Sequence, residues 1–256
     1  VHEHPLALPG TLVDFAIGAP SLDFTGIDSY YEARTSDLQR VVTTFDPGRP
    51  YLLTEFGPDV YWDPELTQHD ANGVVLEPLS TKKANDYVLD WNVFIEPHRG
   101  WNIGGIAYCW IDRLEATTSW FGLVDWSGRE KSAFAVLKRL WTGKDPERGP
   151  VILSLQASSK ALQPGETIEA TAKVEIPEGL KVDYQWGLED KDFRKITGRV
   201  TPLGDGTTAR VTVPMEPGVY RLYLNANSGQ TADVTNIPLT VASSVKAPKQ
   251  EASLGP

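Results

Sequence analysis

The stretch PYLLTEFG, residues 50–57, has the pattern of a buried β-strand that ends on a carboxylate. Its apolar residues are almost continuous, which is typical of a strand whose two faces are both covered. Glu55 near its carboxyl end has two interpretations. It is an ordinary surface residue where a turn begins, or it is a functional group at the mouth of a parallel barrel, where catalytic side chains lie.

Segments of alternating character surround this strand in residues 1–145. Strands are predicted at 22–31, 51–56 and 103–112, and helices at 36–45, 80–98 and 128–141. One more helix is predicted within 6–18, although Pro9 and Gly10 weaken its pattern. A strand followed by a helix, repeated three times, predicts βα units with a parallel sheet.

The pattern changes near residue 145. The segment TGKDPERGP, 142–150, is polar and rich in helix breakers, so we expect a linker there. Short runs of period two separated by turn signals follow over 151–241, which predicts an antiparallel, immunoglobulin-like β-sandwich. The tail 242–256 has no periodicity, and we expect it to be disordered.

Composition excludes several functional classes. The 34 acidic and 24 basic residues give a net charge of −10, which argues against nucleic acid as a partner. No apolar run reaches the roughly 20 residues of a membrane span. His2 and His4 have a metal-like spacing but no third ligand, and no Gly-rich phosphate loop is present. We therefore predict neither a metal nor a cofactor.

Chemistry-bearing residues gather at the carboxyl ends of the predicted strands, the edge that carries function in a βα barrel. These candidates are Asp28, Tyr30, Glu55, Trp110 and Asp112, with Trp62 on the loop after Glu55. Aromatic rings stack on the apolar C–H faces of sugars, and carboxylates pair with sugar hydroxyls. The set therefore indicates a carbohydrate ligand.

Structural alternatives exist for most of these residues. Trp110 has the properties of a core tryptophan as well as of a sugar platform. Asp112 and Arg113 are equally consistent with an ion pair at the rim. Trp62 suits a distant sugar subsite or a position beneath its own loop.

Three segments, LDFTGIDSYY (22–31), RPYLLTEFG (49–57) and GGIAYCWID…GLVDWSGREKSAF (104–134), together resemble strands six to eight of the clan A glycoside hydrolase barrel, most closely family 2. The resemblance covers about residues 20–141. It implies a partial (β/α)8 TIM barrel with Glu55 as the nucleophile, Tyr30 as its hydrogen-bonding neighbour and Trp110 beneath the sugar. It also implies an extracellular or periplasmic location.

Three departures from the family pattern stand out. Asp28 replaces an asparagine, and Asp112 follows Trp110 sooner than the family's polar residue does. The chain also has no Asn-Glu dipeptide, the family's acid/base motif. A retaining mechanism needs two carboxyl groups about 5–5.5 Å apart. We therefore interpret the chain as the C-terminal portion of a retaining β-glycosidase that lacks the acid/base.

The alternative is a non-catalytic carbohydrate-binding or structural module of a larger polysaccharide-handling protein. In the glycosidase interpretation, the expected partners are a carbohydrate substrate and either the missing half of the barrel or a second copy of the chain. The sugar, its linkage and endo or exo action stay open.

Overall fold

The computed structural model describes residues 8–28, 32–63 and 66–243, apart from the side chains of 32–36. Helices and parallel strands occupy the part before residue 145, and mainly antiparallel strands follow after residue 150. The predicted combination of helices with several sheets is therefore confirmed. Among the described helices, none has both the length and the apolar character needed to cross a membrane.

Helices and strands alternate in the first part, which contains α1 (Leu8–Gly18), β1 (Thr25–Asp28), α2 (Glu32–Phe45), β2 (Tyr51–Phe56), α3 (Ser80–Asp90), β3 (Asn102–Ala107) and α4 (Ser132–Thr142). The strands form one parallel sheet in the order β1–β2–β3. This order keeps consecutive strands adjacent, so their carboxyl ends meet at one edge.

Several elements differ from the sequence prediction in their type or length, and two of these differences have a local cause. The helix expected at 80–98 is α-helical only to Asp90, and a π turn (Trp91–Ile95) and a 3₁₀ turn (Glu96–His98) complete it. Pro97 offers no N–H for an α-helical hydrogen bond, which accounts for the change near the end. Strand β3 ends at Ala107, earlier than predicted, because the backbone of residues 109–112 bonds to the segment 121–124 instead.

One face of the parallel sheet packs against the helices. Ile27, Leu53 and Phe56 are each 1% exposed and share a core with Leu12 of α1 and Leu137 of α4. Burying a side chain of this size contributes about 1.5–3 kcal/mol. This apolar layer therefore holds the strand ends, and the residues on them, in place.

The opposite face of the sheet is open at β3. A Cβ atom built at Gly105 would meet Ile95 and Phe56 on the helix side. Because side chains alternate along a strand, Ile106 projects from the other face. It is 54% exposed, although it is a large apolar residue.

The second part is a sandwich of two four-stranded sheets. Its strands are β4 (Val151–Ala157), β5 (Ala161–Leu162), β6 (Thr167–Glu175), β7 (Asp183–Asp190), β8 (Val200–Leu203), β9 (Thr208–Thr212), β10 (Gly218–Ser228) and β11 (Thr231–Val241). The sheet orders are β5–β11–β10–β7 and β4–β6–β9–β8, and only the β5–β11 pair is parallel. One apolar core, which includes Ile152, Val211 and Leu222, lies between them.

None of the described sheets contains strands from both parts, but specific polar contacts join the two parts. Arg221 of β10 donates to the carbonyl of Val75 at 2.8 Å. The amide of Thr118 donates to the hydroxyl of Tyr223 at 3.1 Å. The amide of Glu130 donates to the carbonyl of Gln230 in the β10–β11 turn, and its carbonyl accepts from the amide of Ala232 in β11. The outer face of the sandwich sheet therefore rests on the loops of the parallel part.

His2, His4 and residues 244–256 of the predicted tail lie outside the described residues. Among the described residues, no group of three or more His, Cys, Asp or Glu side chains is placed to hold a metal ion.

Candidate functional site

Two carboxylates lie side by side at the carboxyl edge of the parallel sheet. Asp28 of β1 and Glu55 of β2 are direct partners in the strand register, and both are half-buried. Neighbouring strands lie about 4.8 Å apart, so the two side chains leave the backbone from adjacent points. Tyr30, the predicted neighbour of Glu55, lies outside the described residues.

The segment after β3 extends the same edge. The amide of Tyr108 donates to the carbonyl of Phe56 at 2.9 Å, one residue beyond Glu55. Trp110 follows and is 65% exposed, with an edge contact to Phe134 at 5.9 Å between ring centroids. An indole this exposed is available to a ligand, which favours the platform interpretation over the core one.

Aromatic rings connect the loops after β2 and β3. Phe121 contacts both Trp62, at 6.3 Å, and Tyr108, at 5.3 Å. Trp62 also packs edge-on against Tyr61 at 4.8 Å and keeps 46% of its surface exposed. The structure therefore places Trp62 on an aromatic wall that continues to the end of β3, with part of its ring open to solvent.

Tyr108 belongs to a polar cluster that the sequence analysis does not single out. Its hydroxyl donates to Glu115 at 2.7 Å and accepts from Arg113 at 2.8 Å. Burial, together with the hydrogen bond to Glu115, raises the pKa of Tyr108 well above its ordinary value. The neutral hydroxyl is thus held in a fixed direction. Its position directly after β3 is the signal that could have identified it.

Asp112 lies inside the protein. It is 1% exposed, and Lys131 donates to its carboxylate at 2.6 Å. The amide of Gly122 donates to the same oxygen at 3.1 Å, an approach that a Cβ atom at Gly122 would block. Burial raises the pKa of Asp112 despite the opposing charge of Lys131. Asp112 therefore stabilises the loop after β3 through buried hydrogen bonds to Gly122 and Lys131.

A second buried ion pair adjoins the first. Lys83 donates to Glu77 at 2.6 Å, and both side chains are at most 4% exposed. Burial opposes ionisation of Glu77, but the charge and hydrogen bonds of Lys83 hold its pKa below the ordinary value. The carbonyl of Ser119 accepts from Lys83 at 2.9 Å and from Lys131 at 3.1 Å, which links the pairs. Glu77 lies in a loop without periodicity, so no sequence signal marks this network.

The strand-end residues thus fall into two groups. Asp28 and Glu55 are half-buried near the carboxyl ends of β1 and β2, and Trp110 and Trp62 are exposed on the loops after β3 and β2. Asp112, in contrast, is buried. Carboxylates can bind the hydroxyls of a sugar ring, and exposed indoles can stack on its apolar faces.

No protein-family model matches the chain, and no curated protein matches it significantly. Among solved structures, a β-glucuronidase from Bacteroides uniformis is 14% identical, with a TM-score of 0.34 over 94% of this chain and 28% of that chain. A nucleoside hydrolase-related protein from Saccharophagus degradans, associated with carbohydrate metabolism, is 15% identical, with a TM-score of 0.32 over 42% of this chain and 29% of that one.

The PKD domain of the human receptor SorCS2 is 21% identical, with a TM-score of 0.26 over 40% of this chain and 79% of that domain. The chain therefore spans less than a third of the glucuronidase and of the Saccharophagus protein. At these scores the likeness carries no information about activity.

Proposed function

We propose that the chain is the C-terminal portion of a retaining β-glycosidase, with Glu55 as its nucleophile. The main observation behind this proposal is that Asp28 and Glu55 are register partners at the carboxyl edge of a parallel sheet. A carboxylate in this position attacks the anomeric carbon of a β-linked sugar and forms a covalent glycosyl intermediate. Water then hydrolyses the intermediate with retention of configuration.

Each of the predicted site residues has a role in the proposed site. Tyr30 donates a hydrogen bond to Glu55, which keeps the nucleophile ionised and aimed. Asp28 pairs with sugar hydroxyls, Trp110 lies beneath the sugar at the cleaved subsite, and Trp62 contacts a more distant ring. The burial of Asp112 favours a supporting role under Trp110 over direct contact with the substrate.

The proposal includes a partial (β/α)8 barrel followed by an immunoglobulin-like sandwich. Three parallel strands in sequential order, with helices on one face, are features of a barrel segment. The open face at Ile106 is the surface that the remaining strands would cover. The acid/base is expected on those strands, so we predict no turnover by the chain alone, because no group protonates the leaving oxygen.

The non-catalytic alternative draws support from the exposure of Trp110 and Trp62 at 65% and 46%. Such indoles bind sugar whether or not a bond is cleaved. A covalent glycosyl intermediate distinguishes the two functions, because a retaining glycosidase forms it and a non-catalytic module does not.

The test uses a form of the protein that contains the complete barrel and a panel of 2-deoxy-2-fluoro-β-glycosides. We expect covalent label on Glu55 by peptide mass mapping, and none in Glu55→Gln, because an amide is a poor nucleophile. Glu96→Gln, at an exposed ion pair with Arg99, serves as the matched control and keeps its label on Glu55. Label on another residue would refute the assignment. Sugar binding without label or turnover would support the non-catalytic function.

A further inference from the structure

A cavity of about 580 Å³ lies between the sandwich and the loop that follows β3. Its volume is within the range of roughly 300–1,000 Å³ that is typical of small-molecule sites. One wall is the outer face of β7 and β10, which carries Glu189, Asn225 and Asn227. The other wall is the loop that carries Trp126. The strand-end residues Glu55, Trp110 and Trp62 do not line it.

The loop wall is rigidly built. Asp125 accepts from the amides of Ser127 and Arg129, each at 2.8 Å, and from the Arg129 guanidinium at 3.0 Å. The indole of Trp126 donates to the carbonyl of Thr118 at 2.9 Å, yet the side chain is 56% exposed. Its ring is therefore held in one orientation with a free face, which is the arrangement of a stacking platform.

The sandwich wall contains buried polar atoms that have no hydrogen-bond partner among the described residues. Among the residues that the structure describes, neither amide atom of Asn227 has a hydrogen-bond partner, although the residue is only 5% exposed. Glu189 is 8% exposed, and its Oε2 atom also has no partner among the described residues, although the carboxyl group interacts with Thr118. An unmade hydrogen bond at a buried group costs about 1–3 kcal/mol. Groups of this kind, bordering a cavity, mark a position where a ligand supplies the missing bonds.

The charged side chains that line the cavity have neighbours of opposite charge, which favours a neutral ligand over a charged one. Arg129 neutralises Asp125, and Lys195 lies opposite Glu189 in an antiparallel bridge. Burial raises the pKa of Glu189, and the positive charge of Lys195 opposes this rise. A charged ligand would find no uncompensated partner among these groups. A neutral molecule with many hydroxyls can use the amides as donors and acceptors and stack on the indole.

We propose that this cavity is a binding site for a neutral saccharide, separate from the strand-end site. Trp126 stacks on an apolar sugar face, and Asn227 and Glu189 bond its hydroxyls. The assignment does not depend on Glu55 being a nucleophile. The proposed site gives the sandwich a role in binding carbohydrate, next to the loop that carries Trp126.

The experiment is calorimetric titration of the whole chain with cellotriose, mannotriose and β-1,4-galactotriose, and with trigalacturonic acid as an anionic comparison. We expect binding of at least one neutral probe and no preference for the anionic one. Trp126→Ala should weaken binding about tenfold or more, as the loss of a central aromatic anchor does. Trp141→Ala, a tryptophan of similar exposure outside the cavity, should leave binding unchanged.

Asn227→Ala separates a ligand role from a structural one. It should weaken binding by a similar factor while leaving the melting temperature unchanged or raised, because the amide has no partner to lose within the described protein. A fall in melting temperature with unaltered binding would overturn the inference. So would binding of none of the neutral probes, or a preference for trigalacturonic acid.

Trp110→Ala distinguishes the two sites. Binding that is lost in Trp110→Ala but kept in Trp126→Ala and Asn227→Ala would place the sugar at the strand ends and refute the cavity site. That result would leave the proposed glycosidase intact. Conversely, failure to label Glu55 has no bearing on sugar binding between the sandwich and the loop.

Discussion

At the residue scale, the loop that carries Trp110 is supported by a buried ion pair. Asp112 and Lys131 form a pair at 2.6 Å, with side chains at most 2% exposed, directly behind the loop that carries Trp110. A buried pair adds little net stability compared with apolar residues, but removing one partner leaves an uncompensated charge. The pair therefore ties the conformation of the loop to the integrity of the core.

Removing the positive partner tests this dependence. We expect Lys131→Met to lower the free energy of unfolding by about 3–5 kcal/mol, because Asp112 is left buried without its counter-charge. Arg99→Ala, which breaks an exposed ion pair, should cost less than about 1 kcal/mol. Urea denaturation measures both.

The double variant Asp112→Leu/Lys131→Met provides the control. It should recover much of the lost stability, because no charge is then left unpaired. A loss in Lys131→Met no larger than that in Arg99→Ala would contradict the buried-pair interpretation.

At the scale of elements, the three-stranded sheet has one covered and one open face. Helices cover Leu53 and Phe56, whereas Ile106 on the other side of β3 is 54% exposed. An exposed apolar surface on a short parallel sheet favours association, either with further strands or with a second copy of the chain.

We expect the chain by itself to associate in a concentration-dependent way, as measured by size-exclusion chromatography with light scattering. Ile106→Lys should reduce this association, because a charge on the open face opposes its burial. Leu153→Lys places the same charge on the sandwich, at a residue 38% exposed, and should have no such effect. A monodisperse monomer at all concentrations would contradict the prediction.

At the scale of the whole molecule, polar contacts couple the sandwich to the parallel part. The largely buried Arg221 donates to Val75 and to Asn236, each at 2.8 Å. Asn236 in turn donates to Glu77, which Lys83 neutralises. The interface thus continues into the buried ion-pair network, and we expect the two parts to unfold together.

Removing the bridging side chain tests this coupling. Arg221→Ala should lower the free energy of unfolding by about 1.5–3 kcal/mol, because hydrogen bonds from a charged group are lost and the Oδ1 atom of Asn236 loses its donor. Calorimetry should then show a broadened or divided unfolding transition. Arg210→Ala, at an exposed contact with Glu169, is the matched control and should keep a single transition. A single sharp transition in Arg221→Ala would indicate that other contacts carry the coupling.

The sequence by itself determined the strand PYLLTEFG with Glu55 near its carboxyl end, and the change to period two after residue 150. These features are local, because strand patterns, turn residues and βα alternation depend only on residues that are close in sequence. The parallel order β1–β2–β3 followed from the same alternation.

Only the tertiary structure decided where Asp112 points, because its partner Lys131 lies 19 residues further along the chain. The same holds for Glu77 and Asn236, which are 159 residues apart, and for the cavity between Trp126 and Asn227. A polar residue in a loop has the same local pattern whether it meets water or a distant partner. Burial and charge compensation therefore become visible only when separate segments of the chain pack together.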